Sequence, residues 1–209
     1  MKIQLALDRL PIGKCFQILE QTESSIDWIE VGTGVIKQYG MSIVKEIKEV
    51  YPNKILVADM KTCDAGKHEA IQAFEAGADI TTVMAYSANK TIVDTLEVAN
   101  GYKKRVMVDL LGITEPNRMK ELSRLGIDLV SLHFGKDMQQ EGEMKEDLFS
   151  LVQDFPEFEV TVAGGISLKS LPTIIEKNPD TIIVGSAITG AENCGEVAAK
   201  MKEMIKVNE

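Results

Sequence analysis

Short apolar runs rich in β-branched residues recur along the whole chain, and each ends in a polar residue or a glycine. Eight such runs predict eight β-strands, at residues 3–7, 28–31, 55–58, 80–83, 105–108, 129–132, 160–163 and 181–184. Their centres lie about 25 residues apart, which leaves room for a crossover between parallel strands. Between the runs, apolar residues recur at helical spacing, as at Ile43, Ile47 and Val50. The pattern therefore predicts strand and helix alternation repeated eight times.

Strands that are apolar throughout are buried on both faces, which is typical of a parallel sheet covered by helices. Eight such units in 209 residues predict a minimal (β/α)₈ TIM barrel of the α/β class, and no linker divides residues 1–209 into further domains. The alternative, an open doubly wound sheet, typically carries a G-x-G-x-x-G turn after its first strand. The first run here ends in Asp8-Arg9-Leu10-Pro11, so we expect the barrel.

Charge and cysteine content narrow the class of protein. The formal net charge is −9, and the sequence contains no run of basic residues that would form a positive patch, so nucleic acid is not expected as a partner. The three cysteines, Cys15, Cys63 and Cys194, are far apart and odd in number, which indicates a reducing compartment. No signal-peptide pattern and no apolar run of membrane-spanning length is present, so we expect a cytoplasmic protein without membrane contact.

Catalytic groups in such a barrel come from the carboxyl ends of the strands. Five of the runs carry unusually polar residues at or near their ends. Asp8 follows the first run, Glu30 interrupts the second, Asp59 and Lys61 follow the third, Asp109 follows the fifth and His133 follows the sixth. Carboxylates that meet at one mouth raise one another's pKa unless cations are present. Lys61 supplies one positive charge, and Mg²⁺ on the oxygens of Glu30 and Asp59 would supply more. A single acidic residue after a strand could equally be a turn former or a helix cap, but caps do not require a lysine among them.

Two further patterns fall at strand ends. The motif D-x-K-x-x-D spans Asp59, Lys61 and Asp64, and alternate positions of a strand would place Asp59 and Lys61 on one face. Gly164-Gly165 and Gly185-Ser186 close the last two runs, where this fold often binds phosphate through backbone N–H groups, although both pairs could be tight turns alone. The charged stretch 139–147 is predicted to be a loop over the mouth and a helix entry.

In this order the motifs resemble the orotidine monophosphate decarboxylase superfamily of barrels. The resemblance runs the length of the chain, through Q-L-A-L-D at 4–8, I-E-V-G-T at 29–33, A-D-M-K at 58–61 with D-A-G at 64–66, V-D at 108–109, His133, V-A-G-G-I at 162–166 and V-G-S-A-I-T at 184–189. Nucleotide decarboxylases of the superfamily carry a lysine at the position of Glu30 and an arginine near Ser186, and neither is present. Ala163, Ser186 and Asp109 resemble the 3-hexulose-6-phosphate synthase family more than the 3-keto-L-gulonate-6-phosphate decarboxylases.

That resemblance implies a carbon–carbon lyase of the aldolase type. Glu30 and Asp59 would bind Mg²⁺, and His133 would remove the C1 proton of D-ribulose 5-phosphate. The resulting enediolate would add reversibly to formaldehyde, giving D-arabino-hex-3-ulose 6-phosphate. Lys61, held by Asp8 and Asp59, would donate to the enediolate oxygens, with Asp109 as a further catalytic residue. The implied phosphate-binding residues are Gly164, Gly165, Gly185 and Ser186.

The resemblance also implies a homodimer in which Asp64 reaches the neighbouring subunit's site. The chain departs from the family pattern at Gly34, where a proline is common, and at Phe134 and Lys136 after His133. Lys136 could point into the mouth or lie on the surface. Two alternatives therefore stay open, a 3-keto-L-gulonate-6-phosphate decarboxylase or related sugar-phosphate lyase, and a non-catalytic sugar-phosphate binding dimer.

Overall fold

Eight parallel strands close into a barrel in the computed structural model, which describes residues 1–140 and 146–207. The strands are β1 Lys2–Leu7, β2 Trp28–Val31, β3 Ile55–Thr62, β4 Ile80–Met84, β5 Arg105–Asp109, β6 Leu129–His133, β7 Glu159–Ala163 and β8 Thr181–Val184. Each strand pairs with the next, and β8 pairs with β1 in the register Leu5 to Val184. The predicted TIM barrel is confirmed, and the doubly wound sheet is wrong.

Helices connect the strands. They are α1 Ile12–Thr22, α2 Thr33–Tyr39, α3 Ser42–Val50, α4 Gly66–Glu75, α5 Asn89–Tyr102, α6 Pro116–Arg124, α7 Leu171–Glu176, α8 Ser186–Thr189 and α9 Cys194–Lys206. Between β6 and β7 the described residues form two 3₁₀ helices, Met138–Gln140 and Glu146–Leu151, in place of an α-helix. Residues 141–145 of the predicted loop over the mouth lie outside the described residues.

Two apolar clusters hold the barrel together. The larger lies between the strands and the helices, where Ile43 and Ile47 of α3 are fully buried while Val50 is exposed. The smaller cluster takes one residue from each strand and fills the barrel interior with Ala6, Trp28, Val57, Ile80, Met107, Leu129, Ala163 and Ile183. Because successive strand residues face opposite sides, the next inward positions towards the carboxyl ends project into the mouth. The interior is thus a packed floor beneath the predicted site.

Candidate active site

A cavity of about 590 Å³ opens at the carboxyl ends of the strands. It is lined by all but one of the residues predicted for the site, namely Asp8, Glu30, Asp59, Lys61, Asp109, His133, Gly164, Gly165, Gly185 and Ser186. The exception is Asp64, which is exposed beyond β3 and does not line this cavity. One face of the barrel therefore brings together groups that are far apart in the sequence.

A bulge in β3 places Asp59 and Lys61 side by side. The register with β4 shifts between Ala58 and Thr62, and Lys61 takes a left-handed backbone conformation with φ of 48°. Lys61 Nζ lies 3.0 Å from Asp59 Oδ2. The predicted shared face is therefore present, but it arises through a bulge and not through simple alternation along an extended strand. Such bulges commonly re-aim side chains at active sites.

Hydroxyl groups from two neighbouring elements fix the Asp59 carboxylate. The Thr33 hydroxyl at the start of α2 lies 2.8 Å from Oδ2, and the Thr82 hydroxyl on β4 donates to Oδ1 at 2.9 Å. Thr82 Oγ1 also accepts a hydrogen bond from the Lys61 backbone N–H at 2.8 Å. The strained turn at Lys61 and the carboxylate are thus held by the same threonine.

Lys61 and His133 share the buried carboxylate of Asp109. Lys61 Nζ lies 2.7 Å from Asp109 Oδ2, His133 Nδ1 lies 2.9 Å from the same oxygen, and the Leu111 N–H donates to Oδ1 at 2.8 Å. Burial alone would raise the pKa of Asp109, but the hydrogen bond and charge of His133, and then those of Lys61, outweigh it and lower the pKa to about 2. Asp109 is therefore ionised at neutral pH.

The expectation that Asp8 and Asp59 hold Lys61 needs correction. Its partners are Asp59 and Asp109, and no hydrogen bond joins it to Asp8. Burial alone would lower the pKa of Lys61, but the charges of Asp59 and Asp109 outweigh this effect and raise the pKa above its usual range. Lys61 is thus a permanent ammonium at the centre of the site.

The ionised Asp109 determines the tautomer of His133. A carboxylate can only accept hydrogen bonds, so the contact at Nδ1 assigns the ring proton of neutral His133 to that nitrogen. Nε2 then carries a lone pair, and no hydrogen bond from the described part of the chain occupies it. His133 lines the cavity, so this arrangement suits a general base.

Three carboxyl groups crowd the opposite side of the mouth. Glu30 is buried, and its Oε2 accepts a short hydrogen bond from Gln4 Nε2. Burial first, and then the charges of Asp59 and Asp8, raise the pKa of Glu30 well above its ordinary value. Asp8 opens onto the cavity, and enclosure by the cavity walls, followed by the charge of Asp59, raises its pKa as well. The protein's own cations leave this negative charge only partly balanced.

The donor set on this side suits a magnesium ion. Mg²⁺ usually binds one or two carboxylates and keeps several waters. Glu30 and Asp59 offer carboxylate oxygens on the neighbouring strands β2 and β3. Among the described residues, no group of three His, Cys, Asp or Glu side chains forms a complete protein cage for a metal. The site thus resembles an open magnesium site more than a closed structural one.

The glycines at the ends of β7 and β8 bring the backbone to the cavity. Gly164 and Gly165 have φ of 120° and 65°, which residues with a side chain rarely adopt. A Cβ on Gly164 would lie 2.2 Å from the Phe134 carbonyl oxygen. Gly185 and Ser186 come just before and at the start of α8. These loops expose peptide groups and one hydroxyl, but no charge.

Sequence reasoning missed the residues that position the acidic groups. Thr33 and Thr82 hold Asp59, and Gln4 holds Glu30. Gln4 is fully buried, and it is the one polar residue in the apolar run 3–7, which was the available signal. Threonine is common in strands, so the two threonines carried no signal of their own.

The chain matches the model of the orotidine 5′-phosphate decarboxylase / HUMPS family over residues 1–201. It is 40% identical over 207 residues to a 3-hexulose-6-phosphate synthase of Bacillus subtilis, covering 98% of this chain and 99% of that protein. It is 32% identical over 206 residues to a 3-hexulose-6-phosphate synthase of Mycobacterium gastri, covering 98% and 100%.

Solved structures show the same similarity in three dimensions. A 3-hexulose-6-phosphate synthase from Salmonella typhimurium superposes with a TM-score of 0.96 at 34% identity, covering 100% of both chains. The protein named KGPDC from Streptococcus mutans, solved as a ligand complex, superposes with a TM-score of 0.92 at 28% identity, covering 99% and 97%. In the described part of the chain, no helix is long and apolar enough to cross a membrane.

Proposed function

The chain belongs to the orotidine 5′-phosphate decarboxylase / HUMPS family, and from this premise we propose that it is a 3-hexulose-6-phosphate synthase. The reaction is the reversible aldol addition of formaldehyde to D-ribulose 5-phosphate, giving D-arabino-hex-3-ulose 6-phosphate. The observation that carries the proposal is the buried Asp109, which joins the ammonium of Lys61 to the imidazole of His133 at the cavity wall. This arrangement pairs a base with a permanent cation at one carboxylate.

His133 takes the C1 proton of the ketose on Nε2, and Asp109 stabilises the imidazolium that forms. Lys61 donates hydrogen bonds to the oxygen on which negative charge develops. The C1 carbon then forms a bond with the formaldehyde carbon, and the former carbonyl oxygen of formaldehyde takes up a proton. No net proton is consumed, because one leaves C1 and one ends on the new hydroxyl.

Mg²⁺ is proposed as the cofactor, with Glu30 and Asp59 as the residues that would hold it. When bound, it supplies positive charge to the ketose oxygens and so lowers the cost of removing the C1 proton. Thr33, Thr82 and Gln4 orient the two carboxylates towards the cavity. Asp8, next to both, adds a third acidic group on this side.

The remaining assignments belong to the same proposal. Gly164, Gly165, Gly185 and Ser186 bind the phosphate through peptide N–H groups and a hydroxyl. Two chains form a homodimer, and Asp64 reaches the neighbouring site, which is supported by its exposed position outside its own cavity. The free thiols, including the exposed Cys63, support a cytoplasmic location.

A specific observation keeps the 3-keto-L-gulonate-6-phosphate decarboxylase as a second candidate. Lys136 lines the cavity, where its charge can meet a carboxylate substrate. The S. mutans structure named KGPDC also superposes along nearly the whole chain. A non-catalytic sugar-phosphate binding dimer is the third candidate. It is disfavoured because binding alone does not need so many mutually repelling carboxylates.

One experiment separates the three candidates. The purified protein is incubated with ribulose 5-phosphate in heavy water, with Mg²⁺ or with a chelator, and exchange at C1 is followed by NMR. A synthase exchanges C1 hydrogen in the presence of Mg²⁺ and consumes added formaldehyde. Release of carbon dioxide from 3-keto-L-gulonate 6-phosphate, far in excess of aldol turnover, would favour the decarboxylase. Substrate binding without exchange would indicate the non-catalytic dimer.

A further inference from the structure

Two cations at the cavity wall form no ion pair with the described part of the protein, although the charge of one of them, Arg9, acts at longer range on the neighbouring Asp8. Arg9 follows β1 and Lys37 lies in α2, and both line the cavity. Neither side chain forms a hydrogen bond or an ion pair with the residues that the structure describes. Lys61, by contrast, is bound by two carboxylates. Arg9 and Lys37 are therefore available to a ligand.

The backbone brings the two cations to the same place. Arg9 Cγ lies 3.1 Å from the position that a Cβ on Gly34 would occupy, so Arg9 packs against the first turn of α2. Lys37 is three residues after Gly34 in α2 and therefore on the same face of that helix. Any larger residue at position 34 would press on Arg9. Glycine at this position, where the family pattern leads one to expect proline, thus leaves room for Arg9.

The predicted phosphate loops lie next to this pair and lack a charge of their own. β8 pairs with β1, and a Cβ on Gly185 would lie 3.7 Å from the Ala6 carbonyl oxygen. The end of β8 is thus in contact with the strand that leads to Arg9. The four loop residues offer only peptide groups and the Ser186 hydroxyl. A phosphate monoester carries close to two negative charges at neutral pH and binds most strongly where charged donors supplement neutral ones.

The acidic lining of the rest of the cavity makes positive charge necessary beside a bound phosphate. Its lining includes five acidic side chains, Asp8, Glu30, Asp59, Asp109 and Asp137. The charge of Lys61 is already paired with Asp59 and Asp109, and Lys136 lies on the other side of the cavity, after β6. A dianion near β8 would therefore meet a negative field unless Arg9 and Lys37 offset it.

We propose that Arg9 and Lys37 form a cationic subsite for the phosphate monoester of the substrate, complementing the peptide N–H groups of the β7 and β8 loops. The identity of the ligand rests on the proposed function, whereas the anion subsite itself does not. Arg9 contributes a planar guanidinium that can donate two parallel hydrogen bonds, and Lys37 contributes a point charge. The two residues bind substrate and take no part in moving the C1 proton.

Calorimetric titration tests the subsite without catalysis. Inorganic phosphate and ribulose 5-phosphate are titrated separately into wild type, Arg9→Gln, Lys37→Gln and Lys45→Gln, the last removing an exposed lysine of α3 away from the cavity. We expect each cavity variant to bind both ligands about tenfold more weakly, as loss of one charged hydrogen bond implies. Arg9→Lys should recover part of the loss. Lys45→Gln should match wild type, and circular dichroism checks that all variants are folded.

Steady-state kinetics supply the second readout. The KM for ribulose 5-phosphate should rise about tenfold in Arg9→Gln and Lys37→Gln, with kcat and the KM for formaldehyde unchanged, because formaldehyde carries no charge. Wild-type affinity for both anions in both variants would overturn the proposal, as would equal weakening in Lys45→Gln. If the two variants bind inorganic phosphate more weakly but ribulose 5-phosphate as tightly as wild type, the subsite does not bind the phosphate of this substrate. If wild type shows no turnover while phosphate binding still depends on Arg9 and Lys37, the proposed function fails and the subsite stands.

Discussion

Lys61 and His133 are linked through a single oxygen of Asp109, with Lys61 Nζ 2.7 Å and His133 Nδ1 2.9 Å from Oδ2. The carboxylate is buried, so both contacts are made away from bulk water. One side chain thereby sets the position of the ammonium and the tautomer of the imidazole. Asp109 thus positions the His133 imidazole and the Lys61 ammonium together, which makes it the most informative residue to change.

Replacement of Asp109 by asparagine should abolish most of the activity while keeping the shape of the site. The amide cannot stabilise the imidazolium, and its NH₂ group can donate to His133 Nδ1 and so move the ring proton to Nε2. We expect kcat to fall about 100-fold or more, with a parallel loss of C1 exchange. Asp137→Asn, which removes an exposed carboxylate of the same cavity, is the control. Equal rates in wild type and Asp109→Asn would refute the role of Asp109.

The same carboxylate makes stability depend on pH in acid. The pKa of Asp109 is lowered from 3.8 to about 2, so between these values the unfolded chain binds more protons than the folded one. Its contribution, about 2 kcal/mol, is complete above pH 4 and is lost as the pH falls through 2. The free energies of unfolding of wild type and Asp109→Asn, measured in urea from pH 6 down to pH 2, should differ less and less as the pH falls below 4. A gap that stays constant contradicts the assignment.

Glu30 should destabilise the metal-free protein. Its raised pKa means that the folded state holds the proton more tightly, so stability falls as the pH rises from 4.5 through the raised pKa. Glu30→Gln removes this charge, and we expect it to raise the free energy of unfolding at pH 7 by about 1 kcal/mol or more. Thermal unfolding with a chelator measures this effect, and Glu20→Gln, which changes an exposed residue of α1, is the control.

Magnesium should reverse the order of stability of wild type and Glu30→Gln that is expected with a chelator. If Glu30 and Asp59 bind Mg²⁺ in the folded state alone, millimolar Mg²⁺ should raise the Tm of wild type and leave that of Glu30→Gln unchanged. Gln4→Leu should show an intermediate response, since the carboxylate remains but loses the hydrogen bond that orients it. An equal Mg²⁺ response in wild type and Glu30→Gln would remove Glu30 from the metal site.

Periodicity located the strands because burial on both faces imposes one simple pattern. The apolar run at 181–184 coincides with β8, and the run at 28–31 coincides with β2. The predicted strand at 55–58 is also present, but β3 continues through Thr62, beyond the apolar run. Residues 59–62 stay in the strand because Thr33 and Thr82 bind Asp59 and because Thr82 accepts from the Lys61 N–H. The apolar pattern thus ends at Ala58, where the site begins, whereas the strand continues through Thr62.

The types of site residue were predictable, but their pairings were not. Strand ends meet at one mouth in any such barrel, so Asp8, Asp59, Asp109 and Lys61 could be placed together. The strand register and the bulge at Lys61 determine which carboxylate contacts Lys61. Neither feature can be predicted from the types of residue in the sequence. This is why Asp109, and not Asp8, is the second partner of Lys61.

Gly164 should tolerate no side chain. A Cβ there would lie 2.2 Å from the Phe134 carbonyl oxygen, at φ of 120°. We expect Gly164→Ala to lower the free energy of unfolding by about 2 kcal/mol or more and to weaken phosphate binding. Gly13→Ala in α1 is the matched control, since nothing lies within 4 Å of its Cβ position, and its effect should stay within about 1 kcal/mol. Equal stability of the two variants in chemical denaturation would contradict the steric argument.

Asp64 offers a test of the proposed dimer, because it is exposed and does not line the cavity of its own chain. If it completes the neighbouring site, Asp64→Ala and Lys61→Ala should each be inactive alone. Unfolding and refolding them together should restore activity, because a mixed dimer has one site with both residues intact. Random pairing predicts about a quarter of wild-type activity. Refolding each variant alone is the control, and a mixture that stays inactive while mixed dimers form would show that Asp64 does not act across the interface.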